Sequence, residues 1–115
     1  MEKWESILRA KMLARKVQLE NKEEKAKNEN DNNQRVLAGL SKSVYVLMLS
    51  VIDKAQDTYA DEQERKEHYH VLVTTLSANW RAARDAAMAQ KRMAEVMQHT
   101  VKLEALHDIE QAMEE

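Results

Sequence analysis

The chain of 115 residues has no proline, no cysteine, no phenylalanine and a single glycine, Gly39. Proline costs about 3 kcal/mol in a helix interior and glycine about 1, so a chain almost free of both can stay helical over nearly its whole length. The missing cysteine excludes disulfides, thiolate metal sites and thiol catalysis, and it removes the main argument for an oxidising compartment. The aromatics are only Trp4, Trp80, Tyr45, Tyr59 and Tyr69, thin material for a globular interior. The longest apolar stretch, Val44 to Ile52, is interrupted by Ser50 and falls far short of the ~20 residues that cross a bilayer. No membrane span is expected. The N-terminus, Met1-Glu2-Lys3-Trp4-Glu5, is charged from its second residue, which predicts no signal peptide and a cytoplasmic location. Glycine-rich phosphate loops, nucleophile elbows and a mixed α/β framework are all missing too, so neither an enzyme nor a cofactor is expected.

What remains is the composition of helical bundles and coiled coils, with 33% charged residues among abundant Ala, Glu, Lys, Leu, Arg, Gln and Met. Basic and acidic residues number 18 and 20, a formal net charge of −2, which argues against a dedicated nucleic-acid binder. The distribution is uneven. Residues 1 to 35 carry 9 basic against 7 acidic side chains, whereas residues 98 to 115 carry Lys102 against Glu104, Asp108, Glu110, Glu114 and Glu115. Ends of opposite sign suit an arrangement in which the first helix starts where the last one finishes.

Along the chain, Trp4, Leu8, Met12 and Leu19 form a helical stripe, with Ile7, Leu13 and Val17 beside it. From Glu20 to Arg35 the apolar residues vanish except for Ala26, and five asparagines enter. Asparagine competes for backbone hydrogen bonds, so residues 28–34 are the candidate for a break or frayed turn, the alternative being a solvated helix that runs on through open water. Apolar periodicity resumes at Val36 and runs to Tyr59 on a broad face that includes Leu40, Val44, Leu47, Val51 and Ala55. A turn is expected near 56–62, with Asp57 or Thr58 as the cap and Asp61 and Glu62 in the following first turn. The final helix then shows Val73, Leu76, Trp80, Ala83, Ala87, Gln90, Ala94, Met97 and Val101 at spacings of three and four, a heptad seam. Beyond Val101 the frame slips.

These patterns predict a single helical domain over 1–115. Its fold class is all-α, an elongated antiparallel helical hairpin or a three-helix coiled-coil-like bundle. A two-helix hairpin of this length would run on the order of 80 Å at 1.5 Å per residue. Either arrangement leaves apolar surface on the Ala-Met stripe of residues 83 to 97, because the polar run from Glu20 to Arg35 offers it no hydrophobic partner.

The sharpest chemical signal is a pair of E-x-x-H spacings, Glu67 with His70 and Glu104 with His107, the spacing by which ferritin-like bundles hold metal ions. A metal-binding bundle is therefore an alternative reading, although the further carboxylates it needs, Glu20 and Glu23, lie in the solvated run. His68 and His70 point to different sides of a helix and cannot chelate as a pair. Arg81, Arg84, Lys91 and Arg92 near Trp80 could face nucleic acid, but they lie mostly off the seam and read as a solvated face. Arg9, Lys11, Arg15 and Lys16 could meet an anionic membrane, and pairing with the acidic C-terminal turn accounts for them better. Methionine is unbranched and adapts to irregular partners, which draws attention to Met88, Met93 and Met97 on the last helix and to Met1 and Met12 on the first.

In length, in pattern, and in Trp80 followed by Arg81, Arg84, Lys91 and Arg92, the chain resembles the stalk proteins of flagellar and type III secretion export ATPases. No specific motif stands behind that resemblance. The secreted W-x-G hairpin proteins differ, since Arg81 and Ala82 follow Trp80 in mid-helix where that family turns. The expected role is a non-enzymatic helical interaction protein, a scaffold, stalk, chaperone or inhibitor subunit. It would bind a protein partner or a second copy of itself through Val73, Leu76, Trp80, Met93 and Met97.

Overall fold

A computed structural model describes residues 3–114; Met1, Glu2 and Glu115, which contribute to the end charges and the methionine count, lie outside it. Four helices follow one another: α1 (Lys3–Asn28), α2 (Asn32–Thr58), α3 (Glu62–Ala89) and α4 (Met93–Glu114). The fold is all-α, with no strand among the described residues. Four helices replace the two or three expected. The molecule measures 44 × 35 × 23 Å, so the 80 Å hairpin does not form.

The first turn lies between Asn28 and Asn32 and the second between Thr58 and Glu62. Between α1 and α2, Asn30 takes the left-handed conformation at φ 57°. Asp31 N donates to Ala26 O (2.8 Å) and Asn30 N to Lys27 O (3.2 Å), the paired bonds of a Schellman motif. Asp31 then caps α2 by accepting from Gln34 N at 3.1 Å. The second turn, Tyr59–Asp61, starts α3 at Asp61 rather than at Asp57 or Thr58, whose helix continues through Thr58. Glu62 and Glu64 then occupy the first turn of α3, where carboxylates complement the helix dipole.

The third turn has no forerunner in the sequence. The seam that reads as one helix from Val73 to Val101 is cut at Gln90–Arg92 by a second Schellman motif, Arg92 N to Ala87 O (2.9 Å) and Lys91 N to Met88 O (3.0 Å). Here Lys91 takes the left-handed position at φ 58°. Gly39 turns nothing: it lies inside α2, where an added Cβ would stand in ordinary contact 3.5 Å from Glu23 Oε2.

Each tight turn makes an antiparallel pair, α1 on α2 and α3 on α4, and the two pairs join chiefly where α2 packs on α4. The core lies at this junction. Leu8 and Met12 of α1 meet Val44, Met48 and Ile52 of α2, and Tyr69, Leu106 and Ile109 complete it from α3 and α4. The stripe of α1 thus faces inward as its spacing requires, while Ile7 and Val17 beside it stay exposed. Helix α2 is long and apolar enough to cross a membrane by length and composition, with a mean hydropathy of 1.6 over its most apolar stretch. The nine-residue run alone understated it. In this fold it is the central core helix, although Val46 and Leu47 remain on its outer side.

Candidate interaction surface

The two ends of the molecule treat their polar groups in opposite ways. At the base, the start of α1, the end of α2, the start of α3 and the end of α4 converge. Glu5 is 0% exposed there, an expensive position for a carboxylate unless every lone pair is matched. It is matched. Arg65 donates from Nη2 to Oε1 (2.8 Å) and from Nε to Oε2 (2.9 Å), Tyr69 Oη donates to Oε2 (2.8 Å), and Gln56 Nε2 donates to the same oxygen (2.6 Å). The remaining Arg65 nitrogen, Nη1, donates to the carbonyls of Tyr59 and Ala60, so one side chain ties the second turn to the first helix. Burial pushes the Glu5 carboxyl up, but the hydrogen bonds from Arg65 and Tyr69 and the Arg65 charge outweigh it, and the pKa falls below the ordinary value of 4.5. Burial and the bond to Glu5 push the Tyr69 phenol well above its ordinary 10.

Trp4 closes the same end. Its Nε1 donates to Met113 O (3.2 Å), its ring stacks on Tyr69, and Lys66 Nζ lies 4.9 Å above it. The first helix does start where the last one finishes. Of the basic residues on α1, Arg15 bonds Asp108 of α4 at 3.2 Å, and Tyr45 Oη donates to the same carboxylate oxygen at 2.7 Å. Arg9 goes instead to Asp53 of α2. This network holds the helices in register.

The α3–α4 hairpin is different. On α3, Ser77, Arg81, Arg84 and Met88 recur at spacings of four, three and four, which puts them on one face; on α4, Met93, Met97, Thr100, Glu104 and His107 do the same. The two faces border one open cleft of about 410 Å³, walled by Ser77, Arg81 and Arg84 on one side and Thr100, Glu104 and His107 on the other, with Glu110 at its lower end. Because the helices are antiparallel, the cleft runs from the arginines near the tip to the carboxylates near the base. Arg81, Glu104 and Glu110 form no ion pair with another described residue, and Arg84 has only its neighbour Asp85, with Nε 3.6 Å from Oδ1. Beyond the arginines, at the tip, Met88, Met93 and Met97 are 52%, 62% and 52% exposed.

The five residues expected to anchor a partner therefore separate. Val73 is 3% exposed and belongs to the core, which takes it off every surface in this fold. Leu76 and Trp80 are half-buried against that core, and Lys102 Nζ covers the Trp80 ring at 4.6 Å. Met93 and Met97 alone are open to solvent. Glu67, His70, Glu104 and His107 are all exposed, and no cluster of three potential ligands forms among the described residues. The E-x-x-H pairs are not brought together: a ferritin-like site needs its helices to turn those faces inward, and here both face water. From the sequence, Arg81 and Arg84 read as a solvated face and Glu110 as part of the acidic C-terminal end. Their helical spacing was visible, but that they border one cleft depends on the turn at Lys91. No protein-family model, curated protein or solved structure matches this chain, so the surface is known by its own chemistry alone.

Proposed function

We propose that this chain is a non-enzymatic helical interaction protein that engages a protein partner through the methionine tip of the α3–α4 hairpin. The observation that carries this reading is the exposure of Met88, Met93 and Met97 on a tip that the chain's own helices leave uncovered. Soluble proteins rarely leave adjoining large apolar side chains open without use, and methionine suits a surface that adapts to what it meets. Met93 and Met97 stand one helical turn apart, the spacing with which a helix presents anchors to a groove or to another helix. The Glu5–Arg65 network supports the same reading from the other end, since a base locked by hydrogen bonds holds the tip at a fixed angle.

A photo-crosslinking residue placed at position 97, in cells that express the full chain, tests the proposal. Adducts are expected at position 97, absent from a control at exposed Glu64, and diminished by Met88→Ser with Met93→Ser in a chain whose thermal melting is unchanged. If position 97 yields no more adduct than position 64, the role is wrong.

A further inference from the structure

We infer that the charged cleft between α3 and α4 is a self-complementary interface, and that its occupant is the same cleft of a second copy of this chain related by a two-fold axis. The inference goes beyond the partner-binding role of the methionine tip, because it uses a different part of the hairpin and a different partner.

Arg81, Glu104 and Glu110 form no ion pair with another described residue, and Arg84 has only its sequence neighbour Asp85. Arg81 and Arg84 lie toward the tip end of the cleft, Glu104 and Glu110 toward its base end, and among the described residues none of the four pairs across the cleft. The base shows that this chain pairs a carboxylate with a guanidinium tightly when it encloses them, as Glu5 and Arg65 do at 2.8 Å. A surface that is basic at one end and acidic at the other complements its own image turned through a half-rotation. In such an isologous contact the residues of one copy meet those of the other reciprocally, so Arg81 and Arg84 of each chain lie over Glu104 and Glu110 of its mate. A peptide of one sign would satisfy half of the cleft and be repelled by the other half. A second copy satisfies both halves at once, with four arginines facing four glutamates. The floor suits a close approach, since Ser77 and Thr100 are small and Ser77 is buried. In this arrangement the antiparallel hairpins place their methionine tips at opposite ends of the pair, so the dimer presents two tips and gains avidity for any partner with repeated sites.

Sedimentation equilibrium of the full-length chain tests the inference. The wild type is expected to form dimers whose affinity falls as salt rises, because exposed charge pairs are screened. Arg81→Glu with Arg84→Glu puts carboxylates against carboxylates, and Glu104→Arg with Glu110→Arg puts guanidiniums against guanidiniums. Each is expected to weaken dimerisation by more than about tenfold, since opposed like charges cost more than 1.4 kcal/mol. An equimolar mixture of the two reversed chains should then recover a mass of two chains, which a merely damaged fold would not do. Should a reversed chain fail to fold, Arg81→Gln and Glu104→Gln remove the attraction without adding repulsion and are expected to weaken the dimer less. A wild type that stays monomeric at its highest soluble concentration overturns the inference, as does a dimer indifferent to all four substitutions or a mixture that stays monomeric. If the wild type is monomeric while position 97 still yields adducts, the dimer fails and the tip's role stands; a charge-dependent dimer without adducts gives the reverse.

Discussion

Glu5 and Glu104 are carboxylates on helices of one chain, and the molecule treats them as opposites. Glu5 is enclosed by four helix ends and holds bonds from Arg65, Tyr69 and Gln56; Glu104 lies on an open wall with no ion-pair partner among the described residues. The difference teaches how stability and interaction are divided. At the base, the cost of taking a charge out of water is offset by complete pairing, and the result is a fixed junction of all four helices. At the outer half of the α3–α4 hairpin Ala87 and Val96 are enclosed, whereas Arg81 and Glu104 stay exposed and open to meet something else. The turn that ends this hairpin is strained in a small way as well, because Lys91 holds a left-handed conformation that costs a side-chain-bearing residue roughly 1–2 kcal/mol.

Breaking the base should have the largest effect. Glu5→Ala strands the Arg65 guanidinium and removes the acceptor for Tyr69 and Gln56, an expected loss of about 3–5 kcal/mol in urea unfolding. The equivalent removal of Glu104 should leave stability within about 0.5 kcal/mol of wild type. Equal losses at the two positions would mean that the base depends on its carboxylate no more than the cleft does.

Acid should act on the same contrast. The Glu5 pKa is lowered in the folded chain, so its contribution is fully present above its unfolded value, ordinarily 4.5, and is lost as pH falls through the lower folded one. Stability measured by urea midpoint should therefore decline in acid below that point, and Glu5→Gln should remove part of the decline.

The tip turn offers a smaller and opposite change. Lys91→Gly relieves the left-handed strain and should stabilise the chain by about 1 kcal/mol, read as a rise in melting temperature. Asn30→Gly, at the same position of the other Schellman turn, should gain only a few tenths of a kcal/mol, since asparagine tolerates that conformation. The smallest effect belongs to the methionines. Met93→Ser with Met97→Ser should shift stability by less than about 0.5 kcal/mol, because both side chains are more than half exposed, while diminishing crosslinked adducts from Met88.

The two Schellman turns also mark how far the sequence could be read. Their hydrogen bonds are the same and their third-from-last residues, Ala26 and Ala87, are both buried, yet asparagine announces one and lysine conceals the other. A break among Asn28–Asn33 was legible because asparagine weakens helices locally. The break at Gln90–Arg92 was not, because glutamine, lysine and arginine are good helix formers and the heptad spacing runs through them. That turn is stabilised by what it permits, Ala87 and Val96 burying themselves as α4 folds back on α3. With it unseen, Val73 and Trp80 read as outward anchors when the returning helix covers them. Met93 and Met97 kept their exposure for a local reason, since they sit in the first turns after the fold-back, beyond the reach of the core.

By itself the sequence determined that this protein is helical and where its apolar stripes lie, because proline and glycine are nearly gone and the spacing of three and four favours helix over strand even where β-branched residues are frequent. Only the tertiary structure decided which stripes are covered. Burial depends on where the chain reverses and on which helix returns, and Lys91 could take its left-handed turn only when packing on both sides offset the cost. The same packing drew Glu5 into the interior beside Arg65 and left Arg81 and Glu104 exposed, side chains that no local rule of sequence tells apart.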